Sequence, residues 1–74
     1  MTKDSAYSKM LAIYKKASTE RPDGWRFGQA VFNFTFGKYP EQANMLRGSD
    51  VDCFYNDDKI NEFIETMIEL LKNK

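Results

Sequence analysis

The 74-residue sequence has no histidine, a single cysteine, two prolines, and no long apolar run. Each shortage closes a class of explanation. Without His the chain lacks the commonest general base and the commonest metal ligand. Cys53 can form no disulfide within the chain. With no His to deprotonate it, it also lacks the usual partner of a nucleophilic thiol, and a small buried thiol is its expected role. No segment approaches the roughly 20 apolar residues that span a bilayer, and neither long predicted helix is basic enough for a membrane surface. The opening MTKDSAYSKM is too polar for a secretory signal, and an unpaired cysteine without an export signal fits a reducing cytosol. The chain is therefore expected to be a cytoplasmic protein that is not an enzyme, with no cofactor, no metal and no membrane contact.

What is present suits a folded domain. Hydrophobic residues make up 42% and aromatic residues 15% of the chain, too apolar for a disordered segment. A domain this small buries only about 60% of its unfolded surface, so dimerisation is one way to add stability. Net charge is zero but unevenly spread. Residues 1–48 carry eight basic and four acidic side chains, and residues 49–74 carry three basic and seven acidic. Such a split steers a charged partner or makes a surface complementary to itself.

Hydrophobic spacing predicts an all-α domain of three or four helices, without internal repeats or a domain boundary. Residues 5–18 place Tyr7, Met10, Leu11, Tyr14 and Ala17 on one stripe, with Asp4 or Ser5 as N-cap. RPDGW then stops the helix, since Pro22 cannot continue it and Asp23-Gly24 favours a turn. Residues 27–40, FGQAVFNFTFGKYP, alternate like a strand at Phe32, Phe34 and Phe36, but no second alternating segment exists to pair with them. A helix over 25–36 is therefore expected, ended by Gly37 in a left-handed cap. It would carry Trp25, Phe32 and Phe36 on one side and Phe27, Val31 and Phe34 on the other, one facing the core and one a second subunit. A short helix follows from Pro40 and ends at Gly48. Residues 48–56 read as a loop with Phe54 and Tyr55 folded into the core. The last helix, from Asn56 or Asp57 to Leu71 or Lys72, aligns Ile60, Phe63, Ile64, Met67 and Leu71.

Three features bear on function. The last helix sets Asp58, Glu62, Glu65 and Glu69 at i, i+4, i+7 and i+11, with successive carboxylates about 4.5–6 Å apart along its axis. With Asp50 and Asp52 they form an acidic surface. A solvated face is the plain explanation of it. The functional one is that regularly spaced carboxylates present some of the charge pattern of a phosphate backbone to a basic groove. The same acids do not make a calcium loop: counting from Asp50, Phe54 and Tyr55 hold the fifth and sixth places and Asn61 the twelfth. Second, Gln29, Phe32 and Phe34 in QAVFNF match loosely the six-residue peptide that docks on bacterial sliding clamps, although a core role competes for the same residues. Third, Lys9, Lys15, Lys16, Arg21, Arg26, Lys38 and Arg47 interleave with Tyr7, Tyr14 and Trp25 as in nucleic-acid binders. The neutral whole and its pI near 6.2 argue against that role.

Two resemblances add to this reading. RFGQAVFN, the later Pro40 and GSDVDCFYND resemble a pattern in short phage and bacterial proteins: Arg-x-Gly-Gln-x-x-x-Asn, then Pro, then Gly-Thr-x-x-Asp-Pro-Phe-Tyr. Here Ser49 replaces Thr and Cys53 replaces Pro. That pattern implies a small globular protein and no particular activity. The length, the Lys/Asn/Asp/Tyr-rich composition and the acidic last helix resemble small early proteins of staphylococcal phages, one of which inhibits the host's DNA sliding clamp. This second resemblance implies a homodimer in the host cytoplasm, lodged in the clamp's DNA channel and blocking replication, without touching nucleic acid itself. The resemblance carries over no site; from the charge and aromatic spacing read above, Asp50, Asp52, Asp58, Glu62, Glu65 and Glu69 are expected to present negative charge to such a channel, with Trp25, Phe32 and Phe36 at the dimer contact or in the core. The alternatives are an acidic decoy of another DNA-binding enzyme, such as a repair glycosylase, and a nucleic-acid binder acting through the basic first helix.

Overall fold

The structure, a computed structural model, describes residues 3–72. Among those residues it contains four α-helices and no strand: α1 (Lys3–Glu20), α2 (Phe27–Lys38), α3 (Pro40–Leu46) and α4 (Ile60–Lys72), the last entered through a 3-10 turn at Asp57–Lys59. This is the all-α architecture that the hydrophobic spacing predicts. Helix α2 is the hub. It packs on α1 and α3 and on the 3-10 turn, while α4 closes the bundle against α1 and α3.

Helix α1 begins before the expected cap, with Asp4 and Ser5 already helical, and its buried row differs from the expected stripe. Ala6, Met10, Ile13 and Ala17 face the core, whereas Tyr7 and Leu11 are 54% and 37% exposed. The small Ala6 and Ala17 let α1 approach its neighbours closely. The larger Tyr7, Leu11 and Tyr14 are displaced onto the adjoining row, because a close helix contact has no room for them. The break after Glu20 follows the sequence. Gly24 takes φ +89°, and the Trp25 N–H donates to the Pro22 carbonyl at 3.2 Å, closing a β-turn.

The two aromatic sides of α2 are both used inside the chain. Phe32, 2% exposed, packs against Phe63 and Phe54 with ring centroids 5.6 and 5.8 Å away, and against Phe36 at 6.3 Å. Phe27 meets Tyr14 of α1 at 5.0 Å, and Val31 is fully buried. Trp25 precedes the helix and packs beside Phe34 at 6.0 Å, not beside Phe32 and Phe36. Phe27, Phe34 and Phe36 pack against the core but stay only partly buried.

Gly37 does not cap α2. It lacks a positive φ, and the helix runs through it to Lys38. The break falls at Tyr39, whose φ of −132° and ψ of 67° leave the helical region one residue before Pro40 opens α3. Pro40 disfavours a helical conformation in the residue before it, which explains why the kink sits there. Gly48, at φ +75°, ends α3 as expected. In the following loop Phe54 does fold against the core, but Tyr55 stands 79% exposed. Tyr55 packs only edge-on against Phe54, at 4.7 Å. Helix α4 buries Ile60, Phe63, Met67 and Leu71 and leaves Ile64 half-buried at the edge of the core.

Candidate functional site

The α4 face opposite the core carries the acidic group. At about 100° per residue, Glu62, Glu65 and Glu69 fall within roughly 60° of one another, and all three are exposed. Two lysines flank them. Lys59 Nζ lies 3.5 Å from Glu62 Oε2, and Lys72 Nζ lies 3.3 Å from Glu69 Oε1. Both pairs are open to solvent and contribute at most about 1 kcal/mol each, so a competing cation displaces them easily. Glu65, between them, makes no ion pair among the described residues. Asp58 is exposed in the 3-10 turn that leads into α4, and Asp50 is exposed in the loop before it.

Asp52 has a different task. Its Oδ2 accepts the Gly48 N–H at 2.7 Å and its Oδ1 accepts the Phe54 N–H at 2.9 Å. Both carboxylate oxygens thus hold the loop's own backbone. Ser49 supports the same turn, donating to the Leu46 carbonyl at 2.7 Å and accepting the Val51 N–H at 3.3 Å. Of the six acids singled out in the sequence, Asp58, Glu62, Glu65 and Glu69 stand exposed on α4 or in the turn leading into it, Asp50 is exposed in the preceding loop, and Asp52 is a structural brace.

Asp57, which spacing alone does not single out, is a second brace. Its Oδ1 accepts the Gly28 N–H at 2.8 Å, a carboxylate placed at the positive end of α2. The Cys53 thiol donates to the Gly28 carbonyl at 3.3 Å. A Cβ on Gly28 would overlap the Cys53 carbonyl and lie 2.9 Å from Asp57 Oδ1. Gln29 completes the junction by accepting the Arg26 N–H at 3.3 Å, half of a capping box. The two halves of the Arg-x-Gly-Gln and Gly-Thr-x-x-Asp-Pro-Phe-Tyr pattern therefore meet in space. In this chain they form a clasp that fastens the start of α2 to the loop before α4. Cys53 is fully buried there, and burial, reinforced by the nearby Asp52 charge, pushes its pKa from 9.0 up to about 12. It is an inert packing thiol.

The clamp-peptide match is not presented for docking. QAVFNF lies within α2, its Phe32 is core and its Gln29 caps the helix. Three of the basic side chains lie over aromatic rings. Arg47 lies over Phe32 and Phe36 at 5.7 and 5.2 Å, Lys16 over Phe34 at 5.0 Å, and Arg21 over Phe27 at 5.3 Å. Three of the cations that could line a phosphate groove thus cover different parts of the aromatic core. No helix among the described residues is long and apolar enough to cross a membrane. No protein-family model, curated protein or solved structure matches the chain.

Proposed function

We propose that this chain is a non-catalytic binding protein that uses the outer face of α4 to occupy a cationic, DNA-binding surface of a protein partner. The observation that carries this reading is the row of Glu62, Glu65 and Glu69, exposed on a helix whose opposite side is anchored in the core by Phe63, Met67 and Leu71. Such a helix holds its charges on a stiff support, so little ordering entropy is lost on binding. Asp58 extends the row at its start. The resemblance to phage early proteins makes the sliding clamp of a bacterial host the first partner to test, with inhibition of host DNA replication in the cytoplasm as the consequence. Another DNA-binding host enzyme, such as a repair glycosylase, is the second.

The test is a calorimetric titration of a purified bacterial sliding clamp with the wild-type chain and with the Glu62→Gln/Glu65→Gln/Glu69→Gln variant. The row is expected to contribute at least a tenfold difference in Kd, about 1.4 kcal/mol, with binding that weakens as salt is raised. Equal affinity for wild type and variant would remove the charge-mimic reading. A clamp that binds neither would shift the assignment to another DNA-binding protein, tested with the same pair of chains.

A further inference from the structure

We propose that the groove between α1 and α2 is a docking site for an acidic amphipathic helix of a protein partner. The groove encloses about 380 Å³ and runs between Ala12, Ile13 and Lys16 of α1 and Phe34, Gly37 and Lys38 of α2. Ile13 is buried and Phe34 half-buried, so the space between the two helices is apolar. Gly37 points to a close contact at this place. It lies within α2, its φ is not positive, and no neighbouring element comes within 4 Å of where a Cβ would stand. A glycine inside a helix weakens it relative to alanine. Neither the torsion nor the packing of this chain calls for one here. Together with Ala12 on α1, it leaves backbone bare for another element to approach.

The charges of the walls select the occupant. Each wall carries one exposed lysine, Lys16 on α1 and Lys38 on α2, and no acidic side chain lines the groove. Neither lysine makes an ion pair among the described residues. Lys16 Nζ lies 5.0 Å from the centre of the Phe34 ring, which steadies the ammonium at the edge of the groove. A helix with an apolar stripe and carboxylates on both flanks fits this arrangement. Its stripe enters the groove, and a carboxylate on either side reaches a lysine. A basic helix would set like charges against both walls. A phosphate backbone would satisfy the lysines but offer nothing apolar to Ile13 and Phe34. The groove shares no residue with the acidic face of α4, so it is independent of the role proposed there.

Selection from a phage-displayed library of random helix-forming peptides, with the full chain as bait, tests it. The peptides recovered are expected to carry apolar residues at i, i+4 and i+7 with Asp or Glu on both sides. A recovered peptide is expected to move the amide resonances of Ala12, Asn33 and Gly37, which line the groove, more than those of any other face. Lys16→Glu with Lys38→Glu should raise its Kd about tenfold or more at low salt. Gly37→Ala should raise it about threefold or more, because the added methyl stands in the approach, while Tm rises. A variant more stable than the wild type that binds less well cannot owe the loss to misfolding. Recovery of no peptides, or of neutral or basic ones, would overturn the proposal, as would largest shifts on another face or a Gly37→Ala variant that binds as tightly as the wild type. It would also be overturned by a single-stranded oligonucleotide that moves the same amides at lower concentration than the peptides, or by self-association of the chain through them.

Discussion

Gly28 admits only a hydrogen where other residues carry a side chain. The reason is contact and not torsion, since its φ is not positive. An added methyl would press on the Cys53 carbonyl and the Asp57 carboxylate. Gly28→Ala is expected to destabilise the chain by about 2 kcal/mol or more, lowering Tm by roughly 10 °C in a domain of this size. Gly37 is the opposite case. It sits within α2, without a positive φ and with open space around its Cα. Gly37→Ala should therefore stabilise by about 0.5–1 kcal/mol, read as a higher Tm. Cys53 gives a pH test. Its folded pKa is raised from 9.0 to about 12, so the unfolded chain loses this proton first. The thiol's contribution is fully present below pH 9 and falls as pH rises from 9 towards 12. Chemical denaturation across that range should show a steeper loss for the wild type than for Cys53→Ala, and equal slopes would contradict the assignment. The sequence displays Gly28 and Cys53 as parts of a pattern. What the pattern does depends on partners 25 and 29 positions away, which no local spacing reveals.

Among the elements, legibility follows how one-sided the burial is. Helix α4 has core on one face and water on the other, so Ile60, Phe63, Met67 and Leu71 are readable directly from their spacing. The exposure of Glu62, Glu65 and Glu69 follows from the same pattern. In helix α1 the expected stripe shares Met10 and Ala17 with the core, but it adds the exposed Tyr7 and Leu11 and omits the buried Ala6 and Ile13. Alanine counts for little in a hydrophobic pattern, yet Ala6 is fully buried, while Tyr7 and Leu11, which look like core, are exposed. Helix α2 is harder to orient, because apolar residues lie on two sides: Phe27 meets Tyr14 of α1, and Phe32 meets Phe54 and Phe63. Of its aromatic residues Phe32 is buried, and Phe27, Phe34 and Phe36 are buried in part. Phe32→Ala should accordingly behave as a core truncation, destabilising by about 3–5 kcal/mol in urea unfolding. A loss below about 1 kcal/mol would instead place Phe32 at a surface.

For the molecule as a whole, the acidic surplus of the second part of the chain has two destinations. Asp52 and Asp57 hold backbone N–H groups of the chain itself, and Asp50, Asp58, Glu62, Glu65 and Glu69 remain outside. Only the outer set is available to a partner, and its proposed role is to substitute for a nucleic-acid backbone. Of the basic surplus of the first part, Lys16, Arg21 and Arg47 lie over aromatic rings of the chain itself. The most direct measurement is a competition experiment, with labelled duplex DNA held by a bacterial sliding clamp and unlabelled chain added at low salt. The chain is expected to release the duplex without binding it, and the Glu62→Gln/Glu65→Gln/Glu69→Gln variant to release it at least tenfold less effectively. Direct binding of the duplex by the chain, or equal release by the neutralised variant, would contradict the charge-mimic role.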